Sequence, residues 1–161
     1  MENISLATLT VSTKDEFDAK FSPGKRLVYS KGQILILICE YSLSFTPERL
    51  RALRNRIGKI DEALKDHDSI YADHLGSGMY VSVDAKYGSV DIRQHWFCEK
   101  RCTITPSQNG IIFSISEWTS FKQKLNELLS IHLELVDAEE CMHSLQEQAM
   151  DCSECVPFWL L

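Results

Sequence analysis

No stretch of this 161-residue chain approaches the roughly 20 consecutive apolar residues of a membrane-spanning helix. The longest apolar run, ILILIC (34–39), has the length of a strand. The opening MENISLATLT lacks the positive region and cleavage site of a secretory signal, so an intracellular protein is expected, nuclear in a eukaryotic or viral setting, with no membrane partner. There is no phosphate-cradling Gly-rich loop, no nucleophile–base pattern and no acidic pair at a telling spacing. An enzyme is therefore the weakest expectation. Basic residues are missing from one region only. Residues 132–161 carry seven acids and no Lys or Arg, which leaves 16 acids against 17 bases in residues 1–131. The net charge of −6 thus belongs to the tail, and the body is close to neutral. Such a body can display a local basic patch but steers a polyanion weakly from afar.

The six cysteines, in a reducing compartment, are buried thiols or metal ligands rather than disulfides. Residues 1–24 read as an N-terminal strand, LATLTVS (6–12), and a polar connector. A first unit follows over 25–66. LVYSKGQILILICEY gives two strands around a Lys31-Gly32 turn, and SLSF (42–45) adds another. TPERLRALRNRIGKIDEALKD (46–66) is a helix capped by Thr46, with Pro47 at its first position and one stripe of Leu50, Leu53, Ile57, Ile60 and Leu64. Gly58, inside that helix, suggests close packing against another backbone.

After a linker (67–78) the same order returns over 79–131. Two strands flank a Lys86-Tyr87-Gly88 turn, a longer loop (98–110) leads to IIFSI (111–115), and a helix runs over 116–129 with Ser116 as its cap. Trp118, Phe121, Leu125 and Leu128 share one face of that helix and read as core. The second strand ends unusually. DIRQHWF (91–97) begins as ordinary alternation and finishes in His95, Trp96 and Phe97, a crowd of rings beside Arg93 that a strand resting on a core does not need.

Residues 79–129 resemble the C-terminal domain of the positive cofactor four family of transcriptional coactivators, which bind single-stranded DNA. The resemblance rests on YVSV (80–83), VDIRQHW (90–96), the Pro106…Gly110-Ile111 approach to the last strand and the Trp118 helix. Residues 25–64 resemble a shortened second copy, with KGQILILICEY (31–41) against the hairpin and SLSFTPERLRAL (42–53) against the final strand and helix start. What the resemblance implies is an α+β fold: two curved antiparallel sheets, each followed by a helix, closing on each other as an intramolecular pseudo-dimer with the helices packed together. Further assembly stays open between a monomeric pseudo-dimer and a homodimer.

The resemblance also implies binding of single-stranded DNA, with RNA open, in a coactivator-like or DNA-maintenance role alongside transcription or replication proteins. Carried over residue by residue, Arg93 and the cluster of Lys86, Lys100 and Arg101 neutralise phosphate, joined by Lys31 of the first copy. Trp96, Tyr87 and His95 offer faces on which bases stack. The missing loop lysines and the acidic tail favour a rival, a protein-interaction module that kept the fold and lost the DNA. Three departures from the family's pattern stand out. Thr105, Ser107, Gln108 and Asn109 replace the loop lysines, Cys39 stands where the first copy's strand arginine is expected, and alternation sets Arg93 and Trp96 on opposite faces unless the strand bulges. The arginines at 49, 51, 54 and 56 spread around their helix as a solvated rim.

The tail holds Cys141-x-His143 and Cys152-x-x-Cys155, four soft ligands that can complete a tetrahedral zinc site. The plainer reading puts Cys141 and His143 on a helix unrelated to the CxxC pair. Cys98 and Cys102 flank the basic loop as further candidate ligands. The closing VPFWLL is too apolar to stay exposed and is expected to dock on the body or on a partner.

Overall fold

The computed structural model describes residues 10–12, 16–98 and 100–138. Two antiparallel sheets each lead into a helix, which is the α+β architecture expected. The first sheet has five strands in sequential order, β1 (Thr10–Ser12), β2 (Glu16–Ser22), β3 (Lys25–Ser30), β4 (Gln33–Ile38) and β5 (Tyr41–Phe45), followed by α1 (Pro47–Lys65). The second has four, β6 (Ile70–Gly76), β7 (Met79–Asp84), β8 (Ser89–Cys98) and β9 (Thr103–Ser114), followed by α2 (Ile115–Ile131) and a 3-10 turn, Leu133–Leu135.

Two of these strands overturn the reading of connector and linker. In β2 the sequence EFDAKFS buries Phe17, Ala19 and Phe21 on one face, a regular period of two. β6 fills most of what read as the linker 67–78. The two units are closer twins than the sequence suggests. Both begin with a hairpin whose ladder slips just before a two-residue turn, between Lys20 and Ser22 in one and His74 and Gly76 in the other. Both turns end in a glycine at positive φ, Gly24 (74°) and Gly78 (82°), a conformation that side chains resist. The carbonyls of these glycines accept the Cys39 and His95 backbone N–H groups at 2.8 and 2.7 Å.

Matching ladders fix the correspondence. Gln33 opposite Ser30 matches Ser89 opposite Asp84, and Leu37 opposite Ser42 matches Arg93 opposite Gly110. The twin of Arg93 is therefore Leu37, and Cys39 is the twin of His95.

The helices exchange sheets. α1 leaves β5 and packs beneath β6 and β7, while α2 leaves β9 and packs beneath β2 and β3. The expectation that the two apolar stripes face each other is corrected here: each stripe reaches the twin's sheet, and that of α2 also packs on Phe113 of its own, 4.9 Å from Phe121. Phe21 of β2 meets Phe121 of α2 at 5.4 Å and Phe113 of β9 at 5.8 Å, and Trp118 stacks on Phe121. The helices touch through polar ends, where the Trp118 indole N–H and Lys122 Nζ donate to Asp61 at 2.9 and 3.0 Å. At the junction of the sheets the Tyr41 hydroxyl donates to the Gly110 carbonyl at 3.2 Å. One continuous core results, which a single 50-residue unit could not supply.

Local signals explain the helix starts. The Thr46 side chain accepts the Arg49 N–H, as expected. α2 starts earlier than expected: Ser114, not Ser116, is the cap, and Glu117 closes the reciprocal capping box. The packing inferred for Gly58 is also corrected. It lies on the exposed side of α1, and a Cβ there would meet nothing within 4 Å.

Candidate nucleic-acid interface

The feature that most separates the twins is the β8–β9 hairpin. In the first unit β4 and β5 join through the tight Cys39-Glu40 turn, Ile38 pairing with Tyr41. In the second, β8 continues past the end of β7. Met79 pairs with Gln94, so among the described residues the ladder of His95 to Cys98 runs with β9 alone, opposite Pro106 to Thr103. These residues form a two-stranded ribbon that projects beyond its sheet.

Trp96 sits on this ribbon opposite Thr105 and is 44% exposed, and Ile104 nearby is 55% exposed. Lys100 and Arg101 lie at the tip, both exposed, with the Arg101 N–H on the Cys98 carbonyl at 3.3 Å. Cys98 and Cys102 bracket the tip.

At the base of the ribbon three rings form a row that sequence reasoning caught only in part. His95 lies 4.6 Å from Tyr80, and Tyr80 4.9 Å from His74. His74 and Tyr80 are cross-strand partners on the face opposite the core. The signal for Tyr80 was present, since it alternates with buried Met79 and Val81. Burial holds the His74 imidazole below its ordinary value, and the charges of Arg56, Arg49 and His95 add to that against the opposing pull of Asp73. Its Nε2 accepts the Gly78 N–H at 3.0 Å, so the ring is neutral with the proton on Nδ1. Burial raises the Tyr80 hydroxyl.

Arg93 lies in this face but is largely occupied. Its Nε donates to both Asp91 oxygens at 3.2 and 3.3 Å, and Nη1 donates to the Ser107 carbonyl at 2.9 Å. Gly110 makes this possible, because a Cβ there would stand 2.9 Å from Arg93 Cβ and Cγ. Only a residue without a side chain lets the arginine lie flat across β9.

A bulge does interrupt the ladder near Trp96, but on β9. Between Arg93–Gly110 and His95–Pro106, one residue of β8 faces three of β9. The alternation of β8 is therefore kept. His95 shares the face of Arg93 and Tyr80, and Trp96 takes the reverse side of the ribbon.

The expected cluster of Lys86, Lys100 and Arg101 does not form. Lys86 and the 79%-exposed Tyr87 occupy the β7–β8 turn, at the opposite end of β8 from the ribbon tip. Ten residues of strand separate them from the tip, about 30 Å at the usual rise. Lys31 lies apart as well. It sits in the β3–β4 turn beside a shallow cleft lined by Glu16, Tyr29 and Glu134, an acidic setting unlike a phosphate site. The four candidate zinc ligands, Cys141, His143, Cys152 and Cys155, and the closing VPFWLL fall outside the described residues. Among the described residues no group of three metal-ligating side chains converges, and no helix is long and apolar enough to cross a membrane.

Comparison with protein-family models, with curated proteins and with solved structures returned no match. What the fold defines is a tandem pair of sheet–helix units built as a pseudo-dimer, with a projecting ribbon on the second unit only.

Proposed function

We propose that this protein binds single-stranded nucleic acid through the β8–β9 ribbon and the ring row at its base. The observation that carries the reading is Trp96, a large ring left 44% exposed on a narrow ribbon tipped by Lys100 and Arg101. An indole face stacks on any base, and flexible cations at a tip neutralise phosphate without reading sequence. His95, beside Tyr80 on the opposite side of the ribbon from Trp96, offers a second place for a base to stack, and Tyr87 adds a ring at the far end of β8. Arg93 acts here as a positioning residue. Its bond to the Ser107 carbonyl ties the ribbon's base to the sheet, and its charge is matched by Asp91.

Fluorescence anisotropy with a labelled unstructured oligonucleotide, at low and moderate salt, tests the proposal. Micromolar or tighter binding that weakens with salt is expected, and Trp96→Ala should reduce affinity about 5- to 150-fold, the roughly 1–3 kcal/mol of one stacked base. Absence of binding at low salt overturns it. The second reading, a protein-interaction module, is favoured by the occupied guanidinium of Arg93 and by Ile104, exposed on the other side of the ribbon from Trp96. It predicts that the ribbon captures a protein while Lys100→Glu/Arg101→Glu leaves that capture intact.

A further inference from the structure

Three hydroxyl side chains stand directly before a proline: Ser22, Thr46 and Thr105. Ser22 and Thr46 also have a base three residues further on, Lys25 and Arg49. A proline in that place has no N–H to satisfy, and the base can pair with an anion of an incoming enzyme. Proline-directed protein kinases read this pattern. The two settings differ. Pro47 and Arg49 are wound into the first turn of α1, and the Thr46 hydroxyl caps that turn by accepting the Arg49 N–H at 3.2 Å. Ser22-Pro23-Gly24-Lys25 is instead the turn between β2 and β3, with Pro23 and Gly24 exposed.

The ladder slips between Lys20 and Ser22, so the pair of Ser22 with Lys25 closes the turn beyond the slip. Pro23 has no N–H to lose when the turn lifts, and buried Phe21 anchors the strand behind it. What Ser22 touches gives the site a consequence. Its hydroxyl donates to Glu117 Oε2 at 2.8 Å, and Lys25 Nζ reaches the same oxygen at 2.7 Å. The other Glu117 oxygen accepts the Ser114 N–H and closes the cap of α2. One carboxylate thus joins a turn of the first half to a helix of the second. The matching turn of the second half reads Gly76-Ser77-Gly78-Met79, without the proline or the base, so the pattern belongs to the first half.

We propose that Ser22 is a phosphorylation site for a proline-directed kinase, and that its phosphate opens the joint at Glu117. The bond from Ser22 Oγ to the γ-phosphorus of ATP forms as the bond from that phosphorus to ADP breaks, and the hydroxyl proton passes to the kinase's base. The donor to Glu117 is replaced by an ester oxygen without a proton. About −1.5 to −2 of charge then stands beside the carboxylate. Lys25 cannot neutralise both anions, and the turn and the start of α2 repel each other.

Incubation of the full chain with a cyclin-dependent kinase and magnesium ATP, read by intact mass and peptide fragmentation, tests the site. One phosphate on Ser22 is expected, and Ser22→Ala should abolish it while its circular dichroism spectrum stays native. Thermal melting tests the consequence. The phosphoprotein should melt about 5 °C below the unmodified chain. In Glu117→Gln, which lacks the carboxylate charge, the same phosphate should lower the melting temperature by less than half as much. A chain that takes no phosphate, or takes it on Thr46 or Thr105 in place of Ser22, overturns the proposal. So does phosphate on Ser22 with unchanged melting, or an equal drop in Glu117→Gln. Neither readout involves nucleic acid, so the outcome is independent of the oligonucleotide assay.

Discussion

The two halves of this molecule share a scaffold and differ at its margins. Both place a bulge, a glycine turn and a backbone bond to a glycine carbonyl at matching points, and both send a helix beneath the other's sheet. The first half closes its last hairpin with two residues and covers its outer edge with β1. The second lengthens that hairpin into a ribbon and leaves the edge of β6 without a described neighbour. A pseudo-dimer needs both copies for its core but only one for a site, so the copies were free to diverge wherever they do not touch.

The largest expected effect probes what they share. Trp118→Ala should cost about 3–5 kcal/mol, since it removes a fully buried indole and leaves Asp61 with Lys122 but without the indole N–H. Because the core is continuous, urea unfolding followed by far-UV circular dichroism and by tryptophan fluorescence should remain a single coincident transition. Separate transitions would show that the halves are independent.

Next is the joint between α2 and the first sheet. Glu117 accepts from Lys25 Nζ at 2.7 Å and from the Ser22 hydroxyl at 2.8 Å. Burial alone would raise its carboxyl, but the Lys25 hydrogen bond, the Ser114 N–H, the Ser22 hydroxyl and the Lys25 charge together hold it at about 2. A depressed carboxyl stabilises fully above the ordinary 4.5, and that stability is lost as pH falls toward 2. Glu117→Gln should cost on the order of 2 kcal/mol at neutral pH and flatten the loss of melting temperature across that acid window. An unchanged acid profile would remove Glu117 from the joint.

The ribbon itself is expected to be dispensable for folding. Replacing residues 95–108 by Cys-Glu, the turn of the first half, should leave the circular dichroism spectrum native while abolishing oligonucleotide binding. A variant that unfolds would make the ribbon a structural part of the second half. The smallest effect is at Gly58, where the space around the helix is open: Gly58→Ala should stabilise by about 1 kcal/mol, measured by thermal melting.

Legibility in the sequence followed locality. The α1 stripe, the Thr46 cap, the core role of Trp118 and the repeated order of strands and helix were readable, because each depends on neighbours within a few residues. β2 escaped notice although Phe17, Ala19 and Phe21 alternate, since charged residues fill the positions between them. β6 was harder. Its inward position 73 is an aspartate, which burial would raise but which Arg56 at 2.7 Å, the His74 N–H and the Tyr71 hydroxyl hold below the ordinary carboxylate value. Arg56 arrives on a helix from the other half, and nothing local announces it. Lys31, Lys86, Tyr87, Trp96, Lys100 and Arg101 are exposed while Arg93 and His95 are half-buried, and spacing in sequence could not show that Lys86 and Lys100 lie at opposite ends of one strand.

The residues alone settled which segments alternate, which coil and where glycine must turn the chain, because backbone sterics and the periodicity of burial act over short distances. The folded molecule decided what those rules leave free: that each helix serves the opposite sheet, that Arg93 is claimed by Asp91 and the Ser107 carbonyl, and that Trp96 stands on a ribbon away from the core. Those outcomes depend on contacts between residues far apart in the chain, whose energies exist only once the chain has closed on itself.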